Sequence, residues 1–316
     1  MRGQLRKESK TVKIVSLLPS ATELVYELGL GDALEGVTFE CDHPAEARSK
    51  PVVSDTALPT DRTLAPGEID GLVNEHMQRK EPLYILDKEL IASIQPDVIL
   101  TQDLCRVCAV PSGQVEDALD QLGCRSNVVS MDPQGLDDIL ESFRTVGRAT
   151  GAEDRADELI DSLRDRIEAV RSTASRLPKI PTLPLEWLDP PFIGGHWIPE
   201  MVGIAAGTSL LTEPKERSRE ASWREIAEAA PEVIVHMPCG YGLESAQEEA
   251  RGLYEVPELR ETPALAAGRL FATDASAYFS RPGPRIVDGL EILAWAIHPD
   301  AFPEPAAGSI GRVAAP

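Results

Sequence analysis

One stretch constrains this chain more than any other. Between residues 152 and 177, Ala156, Leu159, Ile160, Leu163, Ile167, Val170, Ala174 and Leu177 recur at steps of three and four. That spacing puts one apolar stripe along a helix of about seven turns, roughly 39 Å long at 1.5 Å per residue. Charged residues fill the other faces, Gly151 precedes the stretch, and Pro178, Pro181 and Pro184 follow it, so both ends are punctuated. It sits mid-chain with similar patterns on either side. The expected organisation is a lobe over 1–150, a rigid backbone helix over 151–177 and a second lobe over 178–316.

A chain of 316 residues is long enough for two lobes with real cores. Its net charge of −21 argues against non-specific nucleic-acid binding and against docking on an anionic membrane. No apolar run has the length of a signal segment or a membrane span, which leads to the expectation of a cytoplasmic protein unless a leader has been removed. Five cysteines are too few, and odd in number, for a disulfide framework.

Short apolar runs alternate with helical patterns. Strands are expected at 12–18, 34–38, 96–101, 127–131, 183–188, 231–235 and 269–273. Helices are expected after Pro19, where Ser20 and Glu23 have capping-box spacing, and at 68–80, 88–95, 115–122, 136–149, 199–206, 222–230 and 286–297. Residues 45–66 and 208–221 read as loops, and the tail after Pro299 as loosely held. This alternation is that of an α/β fold with parallel sheets and helices on both faces. The phrase Ile94-Gln-Pro-Asp-Val-Ile-Leu100 is echoed by Ala229-Ala-Pro-Glu-Val-Ile-Val235, a hint that the lobes are related.

Ligands of open parallel sheets bind beyond the carboxyl ends of the strands. The segments following the strands hold Glu40, Cys41, Asp42 and His43; Cys105 and Cys108; Trp187, Asp189, His196 and Trp197; His236, Cys239 and Tyr241; and Tyr278, Arg281 and Arg285. If the lobes face one another, these loops line one cleft. Aromatic rings there would stack on a flat ligand, arginines would meet carboxylates, and an imidazole on the flexible Gly194-Gly-His-Trp197 loop would ligate cobalt or iron. Cys105-Arg-Val-Cys108 has zinc-ligand spacing, but a second pair is lacking. Cys41, with a histidine such as His43 or His196 or with Cys239, would have to complete a zinc or iron site. The same pair also fits a redox couple or two small packing residues. No nucleophile elbow, Walker sequence or dinucleotide fingerprint appears, which favours a binding protein over an enzyme.

Ser16-Leu-Leu-Pro-Ser-Ala-Thr-Glu23, Leu28-Gly-Leu-Gly31, the Pro-Asp-Val-Ile strand and the mid-chain helix together resemble the helical-backbone substrate-binding proteins of ABC importers. More narrowly, Glu40-Cys-Asp, Gln102-x-x-Cys-x-Val-Cys-Ala109, Glu186-Trp-Leu-Asp-Pro-Pro191, Gly195-His-Trp-x-Pro-Glu200, Pro238-Cys-Gly240 and Ala277-Tyr-Phe-x-Arg-Pro-Gly-Pro-Arg285 are similar to a leaderless, cobalamin-binding-like subgroup. The resemblance implies two Rossmann-like lobes with a ligand cleft between them, a cobalamin or other metal chelate as ligand, and an ABC permease as partner. The expected ligand-binding residues are Glu40, Trp187, Asp189, His196, Trp197, Tyr241, Tyr278, Arg281 and Arg285. The alternative is a metalloprotein or metalloenzyme holding zinc, iron or a cluster through Cys41, Cys105 and Cys108 with a histidine or Cys239.

Overall fold

The computed structural model describes residues 12–59, 66–79, 81–103, 110–122 and 125–315. Two compact units emerge. The first gathers the described residues of Met1–Leu58, Pro82–Met131 and Arg144–Ala156; the second gathers those of Pro59–Glu81, Asp132–Phe143 and Asp157–Pro316. Each unit is built on one sheet, and the helix Glu153–Ala174 carries the chain from the first to the second.

The first sheet contains β1 (Ile14–Ser16), β2 (Leu34–Thr38), β3 (Val52–Thr56), β4 (Tyr84–Leu86), β5 (Val98–Thr101) and β6 (Asn127–Ser130), in the order β4-β3-β2-β1-β5-β6. All pairs are parallel except β3 with β4. Central β1 is apolar because both of its faces are covered: Ile14 and Val15 are fully buried, as are Ile99 and Leu100 on β5. The second sheet contains β7 (Ile180–Leu188), β8 (Pro191–Ile193), β9 (Gly207–Ser209), β10 (Arg219–Glu220), β11 (Val233–His236), β12 (Leu270–Thr273) and β13 (Ile310–Arg312). Its order is β10-β8-β7-β11-β12-β13, with β9 parallel to the start of β7. The pairs β7–β11 and β11–β12 are parallel.

The echoed phrase has the same structure in both units. Gln95 and Ala230 both take left-handed backbone, at φ +52° and +49°. A Pro and an acidic residue follow, and the chain enters the strand beside the first strand of its sheet, β5 next to β1 and β11 next to β7. The long helix runs 22 residues, about 33 Å. Ala156, Ile160, Leu163, Ile167, Val170 and Ala174 are its buried stripe. On its polar side Arg166 reaches Asp288 at 2.5 Å and Glu291 at 2.7 Å, both in the helix Ile286–Ile297. Among the described residues no helix is long and apolar enough to cross a membrane.

Three local expectations need correction. Ser20 and Glu23 form no capping box: Leu18 is the N-cap, no side chain caps it, and Pro19 opens the helix Pro19–Glu27. Proline's missing N–H costs nothing there, and both Ser20 and Glu23 turn inward and are buried. Residues 45–66 contain β3, whose two valines are too short a run to announce a strand. The tail is docked, not loose. Strand β13 pairs antiparallel with β12, Val313 is 3% exposed and donates its N–H to Leu270 O at 2.9 Å, and its carbonyl accepts from Tyr254 Oη at 3.1 Å. Burial of a valine side chain is worth about 1.5–3 kcal/mol. A chain ending at residue 305 is therefore expected to lose at least that much stability, read as a lower urea midpoint; an unchanged midpoint would mean that the tail contributes nothing.

Candidate functional site

In the second unit several of the expected ligand-side residues come into contact on the segments that follow β7, β8, β11 and β12. Trp187, near the end of β7, meets the Tyr241 ring edge-on with centroids 6.1 Å apart. Tyr241 lies on the segment following β11, and its carbonyl accepts from Ser276 N at 3.3 Å. Ser276 begins the segment after β12, where Asp274 caps the short helix Ala275–Tyr278 by accepting from Ala277 N at 3.0 Å. Phe279 O then accepts from Trp197 Nε1 at 3.0 Å. Trp197 in turn packs against His196, ring centroids 5.8 Å apart. Trp187, Tyr241 and Ser276 are thus linked by direct contacts, as are Phe279, Trp197 and His196, and the short helix Ala275–Tyr278 joins the two sets.

His196 is held with unusual firmness. Its backbone is left-handed, φ +54°, a conformation costing an L-residue about 1–2 kcal/mol. The segment 213–218 over-determines it. His196 N donates to Glu216 O at 2.5 Å, Lys215 N donates to His196 O at 2.9 Å, and Gly195 N donates to Ser218 Oγ at 3.1 Å. Gly195 makes this approach possible, because a Cβ there would overlap the backbone of Glu216, Arg217 and Ser218. Strain that surrounding contacts enforce is typical of functional positions.

The electrostatics separate the imidazole from the phenols. Burial, and secondarily the charge of Arg217, push the His196 pKa below its ordinary value. Half-buried His196 is therefore neutral near pH 7 and keeps a lone pair. Burial, then Glu249, raises the Tyr241 phenol; burial raises Tyr278 against the lowering influence of Arg285. The Arg285 guanidinium lies 5.8 Å from the Tyr278 ring centroid, a cation–π distance. The phenols stay protonated at neutral pH, and His196 is the group of this constellation that keeps a free lone pair there.

The remaining candidates fall as follows. Asp189 is exposed in the turn joining β7 to β8, and Arg281 is half-buried before the last helix. Trp197 is only 6% exposed; with its N–H spent on Phe279 it braces the loop and is not a stacking platform. His236 is not on a loop: it ends β11, fully buried, with Nδ1 3.1 Å from Leu185 O and Nε2 2.9 Å from Glu249 Oε2. In the first unit Glu40 is exposed on the turn after β2, and Cys41 is buried with its sulfur 3.0 Å from Thr22 Oγ1. Cys239 is half-buried after β11. Cys105 and Cys108 lie outside the described residues, and among the described residues no group of three or more His, Cys, Asp or Glu is placed to hold a metal ion. Sequence reasoning missed the segment 213–218, which it read as plain polar loop. The available signal was the alternation Lys215, Arg217, Arg219 in an acidic chain.

A family model described as "Periplasmic binding protein" matches residues 14–277. The chain belongs to this family. The uncharacterized ABC transporter substrate-binding lipoprotein YvrC of Bacillus subtilis is 25% identical over 305 residues, 95% of this chain and 83% of its own. A vitamin B12-binding protein of Yersinia pestis is 23% identical over 226 residues, 71% of this chain and 68% of its own. The crystal structure of a periplasmic heme-binding protein from Pseudomonas aeruginosa superposes with a TM-score of 0.70 at 20% identity, covering 96% of this chain and 98% of that one. The chain is an ABC-type substrate-binding protein of two α/β lobes.

Two predictions follow from the clamp on His196. Gly195→Ala should lower unfolding stability by about 1–3 kcal/mol, because backbone and not a flexible side chain must give way; a variant as stable as the parent in urea would contradict this. The second concerns pH. An unfolded histidine takes its proton near pH 6.5, whereas folded His196 takes it only at lower pH. Its contribution to stability is thus complete above about pH 6.5 and is lost as pH falls toward the folded pKa. His196→Asn, which tolerates left-handed backbone, should remove that part of the acid-side slope in urea midpoints measured between pH 7.5 and 5. An identical slope in the variant would count against a neutral His196.

Proposed function

We propose that this binding protein takes a corrinoid or related metal chelate as its substrate, with the imidazole of His196 as an axial ligand to the chelate's metal. The observation that carries the reading is His196 itself, half-buried, neutral and locked by the 213–218 backbone beside Trp197. A neutral imidazole is a good donor to cobalt or iron, and a donor carried on a pre-set backbone loses less entropy on binding.

The neighbouring groups suit such a ligand. Trp187 and Tyr241, set edge-on to one another, and Tyr278, beside Arg285, offer ring surface for a flat macrocycle. Arg281 and Arg285 meet amides or carboxylates on its rim, and Asp189 adds a polar contact. The relatives lend support of a consistent kind: vitamin B12 and heme, the ligands printed in two of their names, are both planar chelates with metal positions open to an axial donor. Delivery to an ABC permease is the corresponding partner reading, drawn from the same relatives.

The test is a visible-range titration of the full chain with aquocobalamin and, separately, haemin. Saturable binding with a shifted band is expected for at least one of them. In His196→Ala and in His196→Gly, which keeps the left-handed backbone, the shift should vanish and affinity should fall at least about tenfold, a change of roughly 1.4 kcal/mol. Wild-type spectra retained in both variants would remove imidazole ligation.

A further inference from the structure

Of the five histidines, His236 alone is fully buried. Both of its ring nitrogens are engaged. Leu185 O accepts from Met237 N at 2.8 Å and lies 3.1 Å from His236 Nδ1. A carbonyl oxygen only accepts, so Nδ1 carries the hydrogen. Nε2 lies 2.9 Å from Glu249 Oε2. Those two atoms would otherwise turn lone pairs on each other, so a bond there needs one proton between them. Imidazolium donating to carboxylate and carboxylic acid donating to imidazole both satisfy this. Such a bond is directional. The packing of Ala246 and Ala250, which fastens the same helix to the core, is not.

The place of this bond in the chain gives it a consequence. His236 ends β11, and Glu249 lies in the helix Leu243–Arg251, which begins two residues after Tyr241. The bond ties the strand end to the helix across the segment that carries Tyr241. That segment has little hold of its own. Tyr241 N donates to Pro238 O at 3.2 Å within the turn, and its carbonyl accepts from Ser276 N at 3.3 Å. Gly240 between them takes φ +82°, with nothing beyond its chain neighbours within 4 Å of where a Cβ would stand.

We propose that His236 and Glu249 are positioning residues of the binding site: their bond is a clasp that sets where Tyr241 stands beside Trp187, and it acts on the ligand through Tyr241. The inference rests on the reading of Tyr241 as a ligand-facing ring and names what holds that ring in place. The chemistry of the clasp dictates which replacements it tolerates. Glu249→Gln keeps the side-chain length, and its amide N–H donates to the Nε2 lone pair with no added proton, so the clasp survives. Glu249→Ala removes the clasp and leaves a buried ring nitrogen unpaired.

The experiment uses the full chain and two readouts. The first is hydrogen exchange by mass spectrometry without ligand. Glu249→Ala should speed exchange at least about tenfold in peptides covering 237–242, leave the helix 286–297 as in wild type, and be reversed by Glu249→Gln. The second is affinity for haemin and for aquocobalamin. For whichever binds wild type, Glu249→Ala should weaken binding at least about tenfold and Glu249→Gln by less than about twofold. With Tyr241→Ala already present, Glu249→Ala should add less than about twofold. Wild-type exchange at 237–242 in Glu249→Ala, or Glu249→Gln behaving as Glu249→Ala does, would overturn the clasp. So would exchange raised equally in 286–297, which would make the pair a support of the whole unit. An undiminished loss of affinity in the Tyr241→Ala background would overturn its action through Tyr241. Wild type that binds neither chelate would remove the ligand reading and the ligand-side half of this proposal, while the exchange data would still decide the clasp.

Discussion

Everything proposed for the second unit depends on β11 being held in the middle of its sheet. Val233, Ile234, Val235 and His236 are all fully buried, with β7 on one side and β12 on the other, both parallel. A parallel strand buried on both faces has one register that satisfies its backbone and covers its side chains. His236 strengthens that register by placing Nδ1 near the carbonyl of Leu185 on β7. With three strands fixed in parallel, their carboxyl ends come out together, and the segments carrying Trp187, Tyr241 and Tyr278 emerge within contact of one another. The contact between these segments is thus a consequence of strand direction first and of loop sequence second.

The loops then do what the sheet cannot. β8 turns back on β7, and the chain reaches His196 through two glycines, the second allowing the 216–218 backbone to lie directly against it. This produces a strained histidine whose N–H and carbonyl are both satisfied by the same short segment. The same contact brings Arg217 near the imidazole. A chain of net charge −21 would flood an unprotected site with negative potential. Here the local field on His196 is set by burial and by an arginine, and both act in one direction, toward the neutral donor.

How far the sequence could be read depended on how long each signal ran. The helix Glu153–Ala174 and the last helix were legible because their apolar residues repeat over several turns, and β5 and β11 were legible as unbroken buried runs. Strands β3, β8, β9 and β10 were not, because two to five residues carry no period of their own and are made strands by the neighbours they pair with. The docking of β13 was hidden in a Pro-, Ala- and Gly-rich tail, where Val313 alone supplies the anchor and Arg312 lies 5.5 Å from the Phe271 ring centroid. At the site, chemistry-bearing residues could be placed beyond the strands by the parallel-sheet rule. Their division of labour could not, because it turns on contacts between distant segments: Trp197 with Phe279, His236 with Glu249, His196 with Glu216.

The same division explains how relatives of 20–25% identity can share this fold while the ligands named for two of them, vitamin B12 and heme, differ. Fold is carried by buried strands, where any β-branched or aliphatic residue of suitable volume preserves the sheet. Ligand choice is carried by a few exposed or half-buried side chains on segments that such substitutions never reach. In this chain those segments have little freedom: the 194–197 loop is braced by Trp197 from within and clamped by 213–218 from outside. His196 and Arg217 are therefore held at neighbouring, backbone-locked positions, where a change of side chain leaves the strands beneath undisturbed.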